Sequence, residues 1–273
     1  MKFDLRHRAR LVAGGNWTSP DDSESYSTVV SNDNLKLTFF IAELNNLQVI
    51  ATDIGKAYLH GTTREKVFIM AGPEFGELKG HYLIIVKSLY GLKTSGARWH
   101  EKLSETLRQA GFSPSFCDSD IWIRPNKNLS DYIVVYVDDI LVISRDAKTI
   151  LSSIAKIYPI KGHSFPSYHL GGDIHRIKGP YTDHGYTTIL SSKTYIKNIC
   201  DKIEKTCMLN LRSYGSPMDP IYHPELDTSD FILQSDTTKY RMMIGCGLWA
   251  ITLGRFDIHY AISTLSQLSL IHI

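Results

Sequence analysis

Two consecutive carboxylates, Asp138 and Asp139, interrupt an otherwise apolar stretch that reads Ile-Val-Val-Tyr-Val-Asp-Asp-Ile-Leu-Val-Ile over residues 133–143. Neighbouring side chains on a strand point to opposite faces, so only a turn brings both acids to one place. The stretch is therefore expected to be a hairpin with two carboxylates at its tip. Ionised acids held together repel one another, and a bound divalent cation neutralises them. A third acid, Asp53, closes the short β-prone run Leu-Gln-Val-Ile-Ala-Thr-Asp at 47–53. Three hard oxygen donors from two strand ends suit Mg²⁺, which takes few protein ligands and completes its shell with water and phosphate. Two such ions about 3.5–4 Å apart form the arrangement used for phosphoryl transfer. On its own, the Asp-Asp dipeptide also reads as ordinary turn chemistry, because Asp tolerates turn geometry.

Strand ends must hold these acids, and the hydrophobic periodicity outlines the frame. Lys2, Arg6, Arg8 and Arg10 against a single Asp4 read as a basic strand ending at a glycine turn, followed by a polar loop at 17–27. A helix is expected over 32–47, capped by Ser31, with Leu37, Phe40, Ile41, Leu44 and Leu47 on its apolar face. Strands are expected at 66–70, 82–86 and 121–123, and a helix at 94–110 with Trp99, Leu103, Leu107 and Ala110 on one side and Gly111 as its cap. Beyond Ser144 come a helix at 146–158, strands near 170–177 and 186–190, and a helix from Ser192 carrying Ile196, Ile199 and Ile203. Residues 216–224 read as a linker. The last helical region keeps Tyr240, Met243, Ile244, Gly247, Leu248 and Ile251 in register. The fold class is α+β, an antiparallel sheet with helices followed by a smaller, mostly helical part.

Composition narrows the classes further. With 43% hydrophobic and 21% charged residues among 273, the chain is an ordinary folded protein rather than a disordered or fibrous one. A net charge of +2 argues by itself for neither nucleic acid nor membrane. Four scattered cysteines without a CxxC pair are expected to be reduced, half-buried thiols of an intracellular protein. The opening MKFDLRHRAR has no apolar signal-peptide core. The most apolar stretch, 242–253, falls short of the ~20 residues that span a bilayer and is expected to be a buried helix, so no membrane partner is anticipated. The end at Ile273, with no polar terminus, reads as a fragment of something longer.

The wording around the acids resembles the reverse transcriptases of copia-type (pseudoviral LTR) retrotransposons. Tyr-Val-Asp-Asp at 136–139 is similar to their catalytic hairpin. Asp-Ile-Gly-Lys-Ala-Tyr-Leu-His-Gly at 53–61 resembles the block carrying the first catalytic aspartate. Ala-Arg-Leu-Val-Ala at 9–13 resembles the fingers strand. Ser-Leu-Tyr-Gly-Leu-Lys at 88–93 with Ala-Arg-Trp at 97–99 matches a third block, and Leu-Gly-Gly-Asp-Ile at 170–174 resembles the segment that grips the primer terminus. Residues 240–258 resemble the segment downstream of the polymerase core in such polyproteins, so the resemblance covers nearly the whole chain.

The resemblance implies a right-hand polymerase: fingers and palm over 1–160, the end of the palm and a thumb over 161–215, then a linker and the helical start of a connection over 216–273. It implies RNA-directed DNA polymerisation, attack of a primer 3′-OH on the α-phosphate of a dNTP. Asp53 and Asp138 would hold two Mg²⁺ ions (or Mn²⁺) with the Ile54 carbonyl as a further ligand, and Asp139 would be the weaker, supporting carboxylate. Arg8, Arg10, Tyr58, Gly91 and Tyr136 would meet the nucleotide. Tyr58 would exclude a ribose 2′-OH, and Tyr90 would pack beside Gly91. Gly171 and Gly172 would let the primer backbone approach, and Lys197 and Lys202, with Lys193 and Lys205, would touch duplex phosphates. Implied partners are an RNA template, a DNA or tRNA primer, and the integrase and ribonuclease H parts of a Pol polyprotein, in a cytoplasmic virus-like particle. Trp99 reads as core rather than a base-stacking platform.

The chain departs from the family at Lys93-Thr-Ser-Gly, where Gln and Pro are frequent, at Lys56, often Asn or Asp, and at Gly55, commonly Lys. None of these removes a proposed metal ligand. Two rival readings stay open at this point, a catalytically inactive relic that only binds nucleic acid and a two-metal nuclease.

Overall fold

The computed structural model describes residues 10–15, 25–127, 129–178, 186–219 and 232–271. The chain divides into two units, Met1–Phe165 and Pro166–Ile273. In the first, the order is α1 (Asn32–Leu44), β1 (Gln48–Ile54), β2 (Phe68–Met70), β3 (Tyr82–Ile84), α2 (Ser95–Gln109), β4 (Ser113–Pro114), β5 (Ile121–Arg124), β6 (Asp131–Tyr136), β7 (Asp139–Ser144), α3 (Ala147–Ala155) and β8 (Ile160–Ser164). A six-stranded sheet in the order β4-β5-β6-β7-β1-β8 carries the unit, and β2 and β3 form a separate hairpin. The pairs β1–β7, β6–β7 and β1–β8 are all antiparallel.

The register sorts the side chains between the two faces. Val135 pairs with Ile140 and Ile133 with Val142, while Ile140 and Val142 pair in turn with Thr52 and Ile50. This row of β-branched residues packs with Trp99, Leu103 and Leu107 of α2 and with Ile150, Leu151 and Ile154 of α3 in one buried cluster. The alternate row, Tyr136–Asp139–Asp53, then Val134–Leu141–Ala51, lies on the other face, where α1 meets β1 and β7. The sheet thus buries its middle and presents acids at one end of one face.

Caps fall where the residue types place them. Ser31 accepts from the Asn34 amide at the start of α1, and Asp146 accepts from Thr149 at the start of α3. Gly111 follows α2 with φ +86°, a conformation that suits glycine. One face, however, is not as the spacing suggested. In α1 the buried residues are Leu35, Thr38, Phe39 and Ala42, whereas Leu37, Phe40 and Leu44 are exposed, Phe40 to 60%. Both stripes are apolar at helical spacing, so periodicity alone could not choose between them.

The second unit holds β9 (Tyr168–His169), β10 (Gly172–Lys178), β11 (Tyr186–Ser191), α4 (Lys193–Cys207), α5 (Gln234–Thr252) and α6 (His259–Ile271). Its strands form one antiparallel sheet in the order β11-β10-β9. The Thr194 amide donates to Asp173 Oδ2 at 2.8 Å, tying the first turn of α4 to β10. The expectation that 242–253 forms a buried helix is corrected. The segment is helical, but Leu248 and Trp249 are exposed and only Ala250 is fully buried. The sheet and helices described in this unit enclose too little volume to cover an apolar helix on all sides. No helix among the described residues is long and apolar enough to cross a membrane. The cysteines are free, with Cys117 exposed and Cys200, Cys207 and Cys246 half-buried.

Candidate active site

The β6–β7 hairpin closes through the pair Tyr136–Asp139, so its two turn residues are Val137 and Asp138, and Asp139 begins β7 rather than sitting in the turn. Across the sheet Asp53 is the direct partner of Asp139. Cross-strand partners share a face at close range, and like charges there are destabilising. The Ile54 amide donates to the Asp138 carbonyl at 2.8 Å, fastening the turn to the end of β1. The three acids therefore meet at one sheet end, as their places at strand termini predicted.

Their ionisation registers the crowding. Burial, followed by the charges of Asp138 and Asp53, pushes the Asp139 carboxyl up to about 6. Asp138 is also raised, by burial first and by Asp53, while its own backbone hydrogen bond and Arg10 pull the other way. Among the described residues no three His, Cys, Asp or Glu groups already converge on one point. Even so, three carboxylates beside the backbone of Ile54 are a donor set of hard oxygens whose mutual repulsion a divalent cation relieves. Their donor chemistry suits such an ion, although the three carboxylates do not form a closed coordination set as they stand.

A raised folded-state pKa means the native chain binds more protons than the unfolded chain between about pH 4 and 6. Stability therefore falls as pH rises through that window and stays reduced above it. Asp139→Asn removes the charge responsible. In EDTA at pH 7.5 the variant should melt ~2–4 °C above wild type, about 1 kcal/mol after discounting for the half-exposed setting. The two melting points should converge near pH 4. A gap of equal size at both pH values would rule out the ionised Asp139 carboxylate as its origin.

Beside the acids lies an aromatic wall. After β1 the chain forms a single turn of 3₁₀ helix at Ala57–His60, entered through Lys56 at φ 60°. Asn and Asp are enriched in that region, so the departure at Lys56 places a less suited residue there. The turn carries Tyr58, whose ring lies 5.0 Å from that of Tyr90. Burial and the nearby Asp138 charge raise the Tyr58 pKa, so the phenol stays neutral and stands within range of the acids. The Arg10 guanidinium lies 5.3 Å from the Tyr90 ring centre and is close enough to Asp138 to stabilise its charge. Arg8 lies outside the described residues, as do residues 1–9 of the expected basic strand. Residues 10–15 run irregularly, joined to Tyr90 by a parallel bridge at Val12.

Gly91 is needed for a reason that spacing did not reveal. It adopts φ +92°, and a Cβ there would stand 2.1 Å from the Ala13 carbonyl, while one on Gly15 would stand 1.9 Å from the Gly91 carbonyl. The two backbones touch, and that contact carries Arg10 toward Tyr90. Asp53, Asp138, Asp139, Tyr58, Tyr136, Gly91 and Arg10 thus all belong to the first unit. Gly171, Gly172, Lys197 and Lys202 belong to the second. There Leu170 and Gly171 turn at φ 47° and 90° between β9 and β10, and the space a Cβ would fill at Gly171 meets the Trp249 indole at 3.0 Å. The close approach that glycine permits here is to α5. Lys197 and Lys202 are exposed but stand about 140° apart around α4.

One functional contact escaped the sequence reading. Trp99 is buried, as expected of a core residue, yet its indole Nε1 donates to the Val137 carbonyl in the acidic turn at 2.7 Å. Helical spacing identifies the buried face but says nothing about where a ring N–H points.

Comparison with known proteins gives the family. The sequence model of the family described as "Reverse transcriptase (RNA-dependent DNA polymerase)" matches residues 1–218. The chain belongs to that family, and the resemblance to copia-type retrotransposon sequences is borne out. Similar proteins include the Retrovirus-related Pol polyprotein from transposon RE1 of Arabidopsis thaliana, 29% identical over 269 residues that cover 96% of this chain and 18% of the relative. Another is the Transposon Ty1-GR3 Gag-Pol polyprotein of Saccharomyces cerevisiae, 30% identical over 282 residues, covering 97% of this chain and 15% of the relative. The chain spans less than a fifth of the length of these curated relatives.

Proposed function

We propose that this chain is the RNA-directed DNA polymerase of a copia-type retrotransposon Pol polyprotein, adding deoxynucleotides to a primer paired with an RNA template. The reading rests above all on one observation, the meeting of Asp53, Asp138 and Asp139 at one sheet end next to Tyr58, Tyr90 and Arg10. Unit Met1–Phe165 is read as fingers and palm, and α4 of the second unit as the helix of a thumb. Asp53 and Asp138, with the Ile54 carbonyl, would hold Mg²⁺, or Mn²⁺ in its place. Bound there, the ions would lower the pKa of the primer hydroxyl and would steady the departing pyrophosphate.

The chain's own groups prepare the transfer, in which the primer 3′-oxygen bonds to the α-phosphorus as the bond to the β-phosphate oxygen breaks. Arg10, resting on Tyr90, presents its charge to the triphosphate. Tyr58 supports the sugar and fills the volume of a 2′-OH. Asp139 adds negative charge behind the two principal ligands. Primer extension on an RNA template with Mg²⁺ and dNTPs tests the reading directly. Binding without extension would leave the inactive relic, and template cleavage without extension would leave the nuclease.

Salt dependence tests the proposed nucleic-acid track. Log affinity for a primer–template should fall linearly with log salt concentration. Two lysines on different sides of α4 do not both face one backbone, so Lys197→Ala with Lys202→Ala should reduce the slope by about 1 rather than 2. An unchanged slope would move the track off α4.

A further inference from the structure

Val137 is β-branched and adopts φ 57°, a conformation that a side chain of this shape rarely takes. It occupies the first central position of a two-residue hairpin turn whose second residue, Asp138, does not share the positive φ. That is the II′ arrangement, in which the first position is ordinarily glycine. The peptide between Val137 and Asp138 sets the turn type, because primed turns of the two kinds differ by a flip of that unit. Its oxygen is the Val137 carbonyl, the acceptor of the Trp99 indole N–H at 2.7 Å.

We propose that Trp99 is a positioning residue, whose N–H pins the Val137–Asp138 peptide in one orientation and so aims Asp138 at the ions. The inference rests on Asp138 being a metal ligand. Trp99 is itself held fast. It is 1% exposed, and its ring lies 5.4 Å from Tyr158 and 5.9 Å from His60. Tyr158 is bonded to Thr106 at 2.6 Å, and His60 Nε2 lies 3.2 Å from the Gly55 carbonyl. Gly61 lets the chain after Tyr58 lie against α2, since a Cβ there would come within 3.1 Å of the Trp99 amide nitrogen. A buried tryptophan generally finds an acceptor for its N–H. This acceptor is the peptide oxygen whose orientation decides where Asp138 points.

Trp99→Phe keeps an aromatic ring between His60 and Tyr158 and removes the donor together with one ring of the bicycle. Mn²⁺ binding to the free protein, followed by electron paramagnetic resonance of the unbound ion, should weaken about tenfold or more. The Mg²⁺ concentration for half-maximal extension should rise in parallel, kcat should fall, and affinity for primer–template should stay unchanged. Glycine accepts the positive φ without strain. In a Val137→Gly background, Trp99→Phe should therefore cost less Mn²⁺ affinity than it does in wild type. Equal costs in both backgrounds, or wild-type Mn²⁺ affinity in a folded Trp99→Phe protein, would overturn the assignment and leave Trp99 as core. If Trp99→Phe proves unfolded by circular dichroism, benzothienylalanine at position 99 takes its place, replacing the N–H with sulfur on the same bicycle, and must show the same loss. Wild type and Asp138→Asn are the controls. A wild type that neither binds Mn²⁺ nor extends a primer would bring down the polymerase reading and this inference together.

Discussion

Asp138→Asn should all but abolish primer extension, lowering kcat by several hundredfold to about a thousandfold, while circular dichroism and melting temperature at pH 7.5 remain those of a folded protein. The swap is nearly isosteric and keeps an oxygen at the turn, but removes the negative charge. Loss of one preorganised electrostatic contact in a shielded site costs about 3–4 kcal/mol in the transition state, and a cation's ligand is at the upper end of that range. Folding gains slightly, because burial and Asp53 already disfavour the ionised form of Asp138. The Ile54–Asp138 backbone bond is untouched by the change and should keep the turn in place. The measurement is single-turnover extension on an RNA template, with Mn²⁺ binding in parallel. Near-wild-type extension would make the acidic turn structural.

Tyr58→Val should narrow the preference for dNTP over rNTP about a hundredfold, through greater use of rNTP together with some loss of dNTP rate. Overlap of one buried oxygen with a fixed ring costs a few kcal/mol, enough for that discrimination. The ring is fixed because it sits on a single 3₁₀ turn, packs against the central cluster and leans on Tyr90. Were Tyr58 only a packing residue, the change would remove ~2–4 kcal/mol of stability and depress both substrates alike. The deciding quantity is the ratio of kcat/KM for dGTP and GTP on one template. A ratio that does not move would take Tyr58 out of the nucleotide site.

Legibility in the sequence depends on how each feature is encoded. The hairpin at 131–144 is legible because two apolar, largely β-branched runs flank a short turn marked by consecutive aspartates, a pattern with few alternatives. The helix at 95–109 was legible from its single apolar stripe and terminal glycine. In α1 periodicity does not single out the buried face, since Leu35, Phe39 and Ala42 compete with Leu37, Phe40 and Leu44 at the same period. Burial in α5 was over-read because apolar composition reports a preference for shelter and not whether neighbours are present to provide it. The left-handed Val137 was invisible, because no rule of residue type predicts a β-branched side chain at a glycine position. Arg10 came to the site through a close contact of two glycine backbones far apart in sequence, which leaves no local pattern.

The pairing of Asp53 with Asp139 also dictates when the site can exist. The β6–β7 hairpin joins residues a few positions apart and can form within microseconds of its synthesis. Asp53, in contrast, finds its partner more than eighty residues later in the chain, and Val12 meets Tyr90 at nearly the same separation. At ribosomal rates of about 5–20 residues per second, Asp53 waits on the order of ten seconds for Asp139 to be made. Closing so long a loop is also the slow kind of step in folding. A nascent chain therefore carries Asp53 without Asp138 and Asp139 for about half of the synthesis of this unit, and the acidic cluster is complete only near the end of its assembly.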